Sequence, residues 1–444
     1  MAHLKTLQES QSDGPSYVER LQEERLAKLL QHAQSKVQYY ESVLRDAGVV
    51  TSRGKLDLGN LTKVGPLDKQ TLRSRFNELK SADLRRRRWH VNRSGGSTGE
   101  PVRFIQDAEH HDWMRAIKML FDLWSGYKLG DRRLMLWGAP RDFGEGKSNL
   151  LVQLKWWLDN TRVHDSQRLT TEGIRAFVDT VNQYRPTQIL AYATSLFEVA
   201  KYILQNDLRI LHRSSIMVTA DTLLPHMRET IEAAFGAQIF NRYGTREVGD
   251  IACETDRHEG LLIPPRTHYV EILGHNDRPV EEGEIGEIVV TSLTNYAMPL
   301  IRYRTGDMAS WTPSTGSCGR NWKQLTSVEG RVTDALLLRD GTRVRLAPKW
   351  FYECDWIDKY QVVQDSYEKL TVRIVPKPRA APADLLGRET ESLTRRIKSV
   401  MTEECTVEFI FVTEIPLTQT GKYLYTVSNV DRESTLMPHG PNAT

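Results

Sequence analysis

The segment NRSGGSTGEP, residues 92–101, separates the run RWHV from the strand-like run VRFI and is the most informative stretch of the chain. Its small and hydroxylated residues permit sharp turns, in which successive backbone NH groups and hydroxyls can point into one concavity. Such a nest holds a polyphosphate. On composition alone, however, a flexible hairpin loop is favoured by roughly two to one. The phosphate interpretation assigns the contacts to Ser94, Gly95, Gly96, Ser97, Thr98 and Gly99.

A second glycine-rich stretch, GAPRDFGEGKS at 138–148, ends in the tripeptide GKS, as a nucleotide-binding P-loop does. The P-loop pattern needs a glycine five residues before Gly146, and that position is Arg141. We therefore interpret the stretch as a surface loop that could contact the substrate. His110 and His111 have no partner at metal-ligand spacing, and we expect a surface or packed histidine pair.

Length and composition describe a globular protein of more than one domain. A chain of 444 residues exceeds what one hydrophobic core normally supports, so we expect one large and one small domain. Hydrophobic residues at 39% and charged residues at 26% exclude a largely disordered chain. The four cysteines are widely spaced, so thiols or metal ligands are expected rather than a disulfide framework: Cys253, Cys318, Cys354 and Cys405.

The charge balance and the N-terminus exclude several classes of partner. Sixty basic against 57 acidic residues leave a formal charge of +3, which is too balanced to imply a nucleic-acid or membrane partner. The N-terminus lacks the apolar core of a signal peptide, and no window approaches the roughly 20 apolar residues that span a bilayer. We expect a cytoplasmic protein.

Hydrophobic periodicity predicts an α/β fold. Residues 17–47 form an amphipathic helix or helix pair, and helical patterns then alternate with short apolar runs between about 100 and 220. This alternation indicates crossover units on a mostly parallel sheet. Short β-rich runs from about 260 to 345 are expected to close a second sheet or barrel. The prediction is a large, multi-lobed N-terminal α/β domain with mixed sheets and a β-rich subdomain, residues 1–332, joined by a hinge to a small C-terminal α+β domain, residues 333–444.

Four further segments resemble, in order, the signature motifs of the acyl-adenylate-forming superfamily. The order is hard to obtain by chance, although each segment alone could be an ordinary strand, turn or loop. The closest branch looks like the phenylacetate-CoA ligase and capsule-biosynthesis group, given the short length and the N-terminal helices. The segments are NRYGTREVGD at 241–250, RYRTGD at 302–307, EGRVTD at 329–334 and IPLTQTGK at 415–422.

The resemblance implies an ATP-dependent, AMP-forming ligase that activates a carboxylate as an acyl-adenylate. The carboxylate attacks the α-phosphate of ATP while pyrophosphate departs, so charge neutralisation is the main problem. The glycine-rich loop is then expected to bind the β and γ phosphates, and Glu247 to hold Mg²⁺. In family members the lysine that corresponds to Lys422 brings its ammonium between the carboxylate and the α-phosphate, which makes Lys422 the main catalytic candidate.

The resemblance also implies how the nucleoside is bound. Tyr243 and Gly244 would form a flat slot against the adenine, and Asn241 would offer an amide to its edge. Asp307 would accept hydrogen bonds from both ribose hydroxyls, with support from Arg331. The remaining nucleotide contacts are assigned to Ala220, Asp221 and Thr245.

Two positions near the phosphates depart from the commonest family pattern. Glu100 replaces a frequent lysine of the loop, and Arg246 occupies a position that is usually Thr or Ser. A guanidinium suits phosphate because it offers a planar fork of donors. We therefore assign Arg246 a catalytic contact with phosphate or substrate.

Some members of this branch carry zinc, and three residues here resemble part of such a site. Cys253 and His258 lie close in sequence, and Cys318 follows at a distance. A structural zinc site needs four ligands, and the position expected to supply another cysteine is Gly316. The set is incomplete, so zinc is the less favoured interpretation.

The acceptor of the second half-reaction stays open. CoA would give a thioester, as the ligase branch implies, whereas an amine, a carrier-protein thiol or another nucleophile could also take the acyl group. The C-terminal domain, hinged near Thr333 and Asp334, would rotate between the two steps. A catalytically inactive nucleotide-binding scaffold is the alternative of another class. Retention of Glu247, Asp307 and Lys422 argues against it.

The acid itself is expected to be aromatic or another small organic acid. Three aromatic residues are plausible pocket walls, although aromatics in such positions more often belong to the core. The oligomeric state is not visible in the sequence, and a homodimer stays open. The three aromatic residues are Trp137, Tyr192 and Phe240.

Overall fold

The computed structural model divides into two compact units, Met1–Gly330 and Arg331–Thr444, called here the large unit and the small unit. No helix in the described part of the chain combines the length and the apolar character needed to cross a membrane. The structure describes residues 1–50, 55–94, 102–138, 147–166, 169–274, 277–312, 319–331, 336–340, 343–344, 346, 349–354, 356–377, 383–416 and 424–430.

The helices of the large unit follow the sequence patterns closely. Val37 has an extended backbone, with φ −123° and ψ 110°, and divides the 17–47 segment into a helix pair. The described α-helices of this unit are α1 (Ala2–Glu9), α2 (Pro15–Lys36), α3 (Gln38–Asp46), α4 (Lys69–Ser74), α5 (Ala108–Trp124), α6 (Lys147–Leu158), α7 (Thr171–Tyr184), α8 (Ala193–Gln205) and α9 (Pro225–Phe235).

The strands of the large unit form one hairpin and one long sheet. The hairpin is β1 (Trp89–Arg93) and β2 (Arg103–Asp107), which pair antiparallel. The long sheet contains β3 (Arg133–Trp137), β4 (Thr161–Asp165), β5 (Gln188–Tyr192), β6 (Ser215–Thr219), β7 (Ile239–Thr245), β8 (Gly249–Glu254), β9 (Leu261–Leu262), β10 (His268–Leu273), β11 (Gly286–Ser292), β12 (Tyr303–Trp311) and β13 (Gln324–Arg331).

The long sheet has a parallel half and an antiparallel half, and the α/β fold class is confirmed. Its strand order is β10-β11-β12-β13-β9-β8-β7-β6-β5-β3-β4, with β3 to β7 connected by helices and mutually parallel as the alternating pattern predicted. The expectation of a separate second sheet was wrong. The β7–β8 hairpin continues the hydrogen bonding from the parallel half into the β-rich half.

The small unit has an α+β arrangement with its own core. A four-stranded sheet in the order β18-β17-β16-β19 packs against α11, and the last strand was not anticipated from the sequence. The described elements are β14 (Leu336–Leu337), β15 (Arg343–Val344), α10 (Lys349–Tyr352), β16 (Ile357–Ser366), β17 (Lys369–Pro376), α11 (Ala383–Val400), β18 (Thr406–Phe411) and β19 (Thr426–Ser428).

Candidate active site

The Tyr-Gly segment forms the hairpin between β7 and β8 in the middle of the long sheet. The register shifts between Tyr243 and Gly244, where β7 meets β8. A Cβ on Gly244 would lie 2.7 Å from the carbonyl oxygen of Gly249 and 2.8 Å from Cα of Asp250. The backbones therefore approach too closely for a side chain, which gives Gly244 a packing role besides any contact with a ligand.

Buried polar side chains fix the turn that follows Gly244. Gln106 Nε2 donates to the carbonyls of Arg246 at 3.1 Å and Glu247 at 3.3 Å. His268 Nε2 lies 2.9 Å from the carbonyl of Val248 and must donate to it. Gln106 and His268 are both buried, so three successive carbonyls of the turn are held by the protein interior.

Glu247 is held inside this turn by Tyr303 of β12. The hydroxyl of Tyr303 donates to Glu247 Oε1 at 3.2 Å, and both residues are buried. Burial raises the pKa of Tyr303 well above its ordinary value, and the Glu247 carboxylate raises it further. Tyr303 is therefore a neutral donor at physiological pH, and it leaves acceptor capacity on the Glu247 carboxylate.

Asp307 is paired with Tyr243 in a second contact between the same two segments. The hydroxyl of Tyr243 donates to Asp307 Oδ2 at 2.9 Å. The backbone NH of Asp307 donates to Thr305 Oγ1 at 3.1 Å, and Gly306 has φ +80°, a conformation that favours glycine. The Thr-Gly-Asp sequence thus builds a local bend that turns Asp307 toward β7.

These contacts bring two carboxylates to one region of the large unit. Glu247 and Asp307 come from segments 60 residues apart in sequence, and each is oriented by a tyrosine hydroxyl. Carboxylate oxygens are the protein ligands that Mg²⁺ prefers, so the buried Glu247 fits the role of a magnesium ligand. The half-buried Asp307 has the acceptor atoms that a pair of ribose hydroxyls would need.

The carboxyl end of the neighbouring strand β6 adds two predicted residues to this region. Val218 pairs with Asn241, so Ala220 and Asp221 leave the sheet beside β7. Ala220 has φ +72°, a strained conformation for a residue with a Cβ. Ligands of open α/β sheets bind at the carboxyl ends of parallel strands, which is where these residues lie. Asp221 Oδ2 accepts a hydrogen bond from Thr194 Oγ1 at 2.5 Å.

Smaller contacts locate the other predicted residues of the Tyr-Gly segment. The backbone NH of Asn241 donates to Glu254 Oε2 at 2.9 Å, and its side chain is half-buried. Thr245 Oγ1 accepts from the NH of Val248 at 3.4 Å, a contact inside the turn. Arg246 is half-buried, and its carbonyl is held by Gln106.

Ser94 is the one residue of the segment 94–99 that the structure describes, and it bonds to Val102 next to the β1–β2 hairpin. Ser94 NH donates to the carbonyl of Val102 at 2.9 Å, and Ser94 Oγ accepts from the NH of Val102 at 2.9 Å. The structure does not describe the other residues of this segment, which are Gly95, Gly96, Ser97, Thr98 and Gly99. Three further predicted groups also lie outside the described residues: Lys422, Cys318 and the side chain of Arg331.

The two described members of the incomplete zinc set lie near β8. Cys253 is fully buried, and burial raises the pKa of its thiol well above the ordinary value. His258 Nδ1 lies 3.4 Å from Glu254 Oε2, and its ring packs on Phe240 with 4.7 Å between centroids. No three His, Cys, Asp or Glu residues among those described form a group that could hold a metal ion.

Several residues that build the site received no role from the sequence. Tyr303 stands inside the RYRTGD motif, and its place two residues before Thr305, where the Thr-Gly-Asp bend begins, is the signal that could have identified it. Gln106 and His268 lie 141 and 20 residues from the carbonyls they hold, so local patterns carry no sign of these contacts. His110 belongs to the same buried network, and burial lowers its pKa to about 3. His110 is packed, whereas the adjacent His111 is exposed.

Comparisons with known proteins agree with this architecture. A family model described as the CapK C-terminal domain matches residues 341–429. CapK of Staphylococcus aureus is 23% identical over 92% of this chain and 89% of its own length. Phenylacetate-coenzyme A ligase of Aromatoleum evansii is 27% identical over 81% of this chain and 82% of its own length.

A solved structure has the same fold over nearly the whole chain. The crystal structure of 2-hydroxyisobutyryl-CoA ligase in complex with R3-HIB-AMP superposes with a TM-score of 0.72 at 18% identity, covering 96% of this chain and 92% of that protein. This likeness shows that the chain has the fold of that ligase. The chain is a relative of CapK and of the phenylacetate-CoA ligases, which confirms the resemblance seen in the ordered motifs.

Proposed function

We propose that the protein activates a carboxylic acid with ATP to form an acyl-adenylate and then transfers the acyl group to CoA. The observation that carries this proposal is the pairing of Glu247 with Tyr303 and of Tyr243 with Asp307. Both pairs join the two motif segments that family members use for ATP. Its relatives include phenylacetate-CoA ligases, which supports an AMP-forming ligase.

The first half-reaction forms one bond and breaks one. A carboxylate oxygen of the acid attacks the α-phosphorus of ATP, and the bond from that phosphorus to the bridging oxygen of pyrophosphate breaks. In the second half-reaction a thiolate attacks the acyl carbonyl, and AMP leaves. The first step brings two anions together, so positive charge and oriented donors lower its barrier.

The residues divide between nucleotide binding and catalysis. Glu247 would hold Mg²⁺, which supplies charge neutralisation at the phosphates, and Asp307 would accept hydrogen bonds from the ribose. Arg246 would contact phosphate or the acid, and the glycine-rich segment at 94–99 would donate backbone NH groups to phosphate. Lys422 would stabilise the charge that develops between the carboxylate and the α-phosphate. We propose that residues 1–332 bind ATP and the acid and that residues 333–444 carry this lysine.

The acceptor is the less constrained half of the proposal. The phenylacetate-CoA ligase relatives favour CoA, whereas the family model over residues 341–429 is that of CapK, whose name gives no acceptor. An amine acceptor is therefore the second candidate. Mass spectrometry of the products with ATP and acid, in the presence of CoA or of a primary amine, distinguishes a thioester from an amide.

Exchange of labelled pyrophosphate into ATP tests the adenylation step without knowledge of the acceptor. A panel of aromatic, aliphatic, hydroxy and dicarboxylic acids should contain at least one that supports exchange. Lys422→Ala should lower the rate with that acid by about 10²- to 10³-fold, since it removes a contact made mainly in the transition state. Lys377→Ala, a change at an exposed lysine of the small unit, is the matched control and should keep the rate.

Two outcomes would contradict the proposal. Near wild-type exchange in Lys422→Ala would remove the catalytic role of this lysine. Binding of ATP without exchange for any acid would favour the nucleotide-binding scaffold over the enzyme.

A further inference from the structure

The long sheet presents a second face to α5, and this face carries residues that the proposed nucleotide contacts do not use. Leu190, Met217 and Phe240 pack with α5 in one core, and they are register partners on β5, β6 and β7. Residues two positions further along a strand lie on the same face. Thr219, at the carboxyl end of β6, and Arg242, in the middle of β7, therefore follow on this α5 face.

Strand β7 separates this face from the nucleotide side. Tyr243 belongs to the other core and bonds to Asp307, whereas Phe240 belongs to the core around α5. Alternation along the strand then places Asn241 and Tyr243 on one face and Arg242 on the opposite one. A molecule bound on the α5 face would lie directly across β7 from the proposed nucleoside site.

The guanidinium of Arg242 has donors that the protein does not use. Arg242 is 6% exposed, and its Nε and Nη1 atoms are buried without a hydrogen-bond partner among the described residues. Arg242 forms an ion pair with Asp250, with 3.6 Å between Nε and Oδ1, which is too long for a hydrogen bond. Buried charged donors are normally satisfied, so an additional acceptor is expected here.

Lys118 of α5 adds a second cation on this face. Burial lowers its pKa, repulsion by Arg242 and Arg133 lowers it further, and Asp122 and Asp250 raise it. Lys118 is nevertheless exposed to solvent. Solvent therefore reaches the α5 face beside Lys118, and this open part of the face, with Lys118 and Arg242, is called here the cleft.

The cluster carries an excess of positive charge. Arg133 forms an ion pair with Asp122 at 2.7 Å, which accounts for one cation and one carboxylate. Of the two carboxylates named here, only Asp250 then remains to attract both Lys118 and Arg242. One further negative charge would balance the cleft.

Aromatic side chains border the same face. Trp137, at the end of β3, packs against the core around α5, and its ring lies 4.4 Å from that of Tyr192 at the end of β5. The cleft therefore combines an aromatic wall with two cations, a combination that binds a short carbon skeleton ending in an anion.

We infer that this cleft holds the tail of the acid and that the acid carries a second anionic group, which Lys118 and Arg242 bind. The inference rests on the proposed function, because it assigns the substrate class of the adenylation site. The reacting carboxylate loses its charge on adenylation, whereas the distal group keeps its charge throughout. A monocarboxylic acid of the same length would leave the buried donors of Arg242 without a ligand, at a cost that selects against it.

Matched pairs of acids test the inference in the pyrophosphate exchange assay. Each dicarboxylic acid of four to six carbons is compared with the monocarboxylic acid of equal length, and 4-carboxyphenylacetate with phenylacetate. We expect kcat/KM for the preferred diacid to exceed that of its partner by about 10²-fold, the range for loss of one member of a buried charge pair.

Variants of the full-length protein show whether the two cations cause the preference. Lys118→Met and Arg242→Met should each reduce the diacid-to-monoacid ratio by about tenfold or more, and Lys118→Arg should keep it. Arg115→Met is the matched control, because Arg115 is exposed on the same helix, and it should leave the ratio unchanged.

Different results would contradict the inferred second anionic group and the proposed adenylation activity. Exchange that favours the monocarboxylic acids, or a diacid preference that both methionine variants retain, would overturn the inference and leave the proposed function intact. No exchange with any acid would overturn the proposed function and the inference with it. Lys118→Met changes an exposed side chain, so its folding is not at risk if Arg242→Met fails to fold.

Discussion

Individual hydroxyl groups orient the two carboxylates of the candidate active site. Tyr303 is fully buried and donates to Glu247, while Tyr243 donates to Asp307. A buried carboxylate that lacked such a donor would pay a desolvation cost or take up a proton. The tyrosines therefore hold the acidic groups in place by hydrogen bonds without adding a positive charge that would compete for them.

Variants of Glu247 and Tyr303 should separate the effect of losing the Glu247 carboxylate from the effect of losing its orientation. We expect Glu247→Gln to lower pyrophosphate exchange by about 10²- to 10³-fold, since it removes the proposed magnesium ligand. Tyr303→Phe removes one hydrogen bond to a carboxylate, worth about 1.5–3 kcal/mol, and should lower exchange by roughly ten- to a hundredfold. Tyr40→Phe is the control, because Tyr40 is equally buried and its hydroxyl bonds instead to the carbonyl of Pro299. Equal losses in the two tyrosine variants would argue against an orienting role for Tyr303.

The turn between β7 and β8 is held by side chains from outside itself. Gln106 of β2 and His268 of β10 together bond three consecutive carbonyls of this turn. Both donors come from other strands, so the turn is fixed by tertiary contacts rather than by its own sequence. The position of Glu247 therefore depends on how the β1–β2 hairpin and β10 pack against it.

Gln106→Leu should disturb this turn and the reaction together. The leucine would leave the carbonyls of Arg246 and Glu247 without this donor, at a cost of about 1–3 kcal/mol in the free energy of unfolding. We expect exchange to fall by about tenfold or more, because displacement of Glu247 by a fraction of an ångström misplaces the proposed metal site. Urea unfolding and exchange assays measure the two effects.

The adjacent residue Asn92 supplies the control for this change. Asn92 Nδ2 donates to Gln106 Oε1 at 3.0 Å, so Asn92→Ala loses a hydrogen bond to the same amide while the carbonyl contacts of the turn persist. Asn92→Ala should cost less than about 1 kcal/mol and keep most of the exchange activity. Loss of stability in Gln106→Leu with full exchange activity would show that the turn does not position a catalytic group.

The sequence predicts elements better than it predicts their long-range contacts. The spacing of apolar residues places α5 and the crossover strands, because each pattern repeats within one element. The continuity of the sheet through β7 and β8 was missed, since hydrogen bonding between strands leaves no local periodicity. Likewise Tyr303 and Gln106 contact groups that lie 56 and 140 residues away in sequence. The role inferred for Arg242 depends on the strand face on which this residue lies.

At the scale of the whole molecule, the histidines are distributed unequally between the two units. The sequence places one histidine, His439, in the small unit and the others in the large unit. In the large unit, burial lowers the pKa of His110 to about 3 and that of His268 to about 4. Both are buried, and both belong to the network around the β7–β8 turn.

Acidification should therefore weaken the large unit selectively. When folding lowers the pKa of a histidine, the unfolded chain binds a proton at a higher pH than the folded protein does. The free energy of unfolding therefore falls as pH drops below about 6.5 toward the folded pKa values. Between pH 7 and pH 5 we expect the two histidines to lower the stability of the large unit by about 4 kcal/mol. Hydrogen exchange followed by mass spectrometry, corrected for the intrinsic rate at each pH, measures this loss peptide by peptide. His111→Asn, at the exposed neighbour of His110, should leave the loss unchanged, whereas an equal loss of protection in the small unit would contradict the assignment to these histidines.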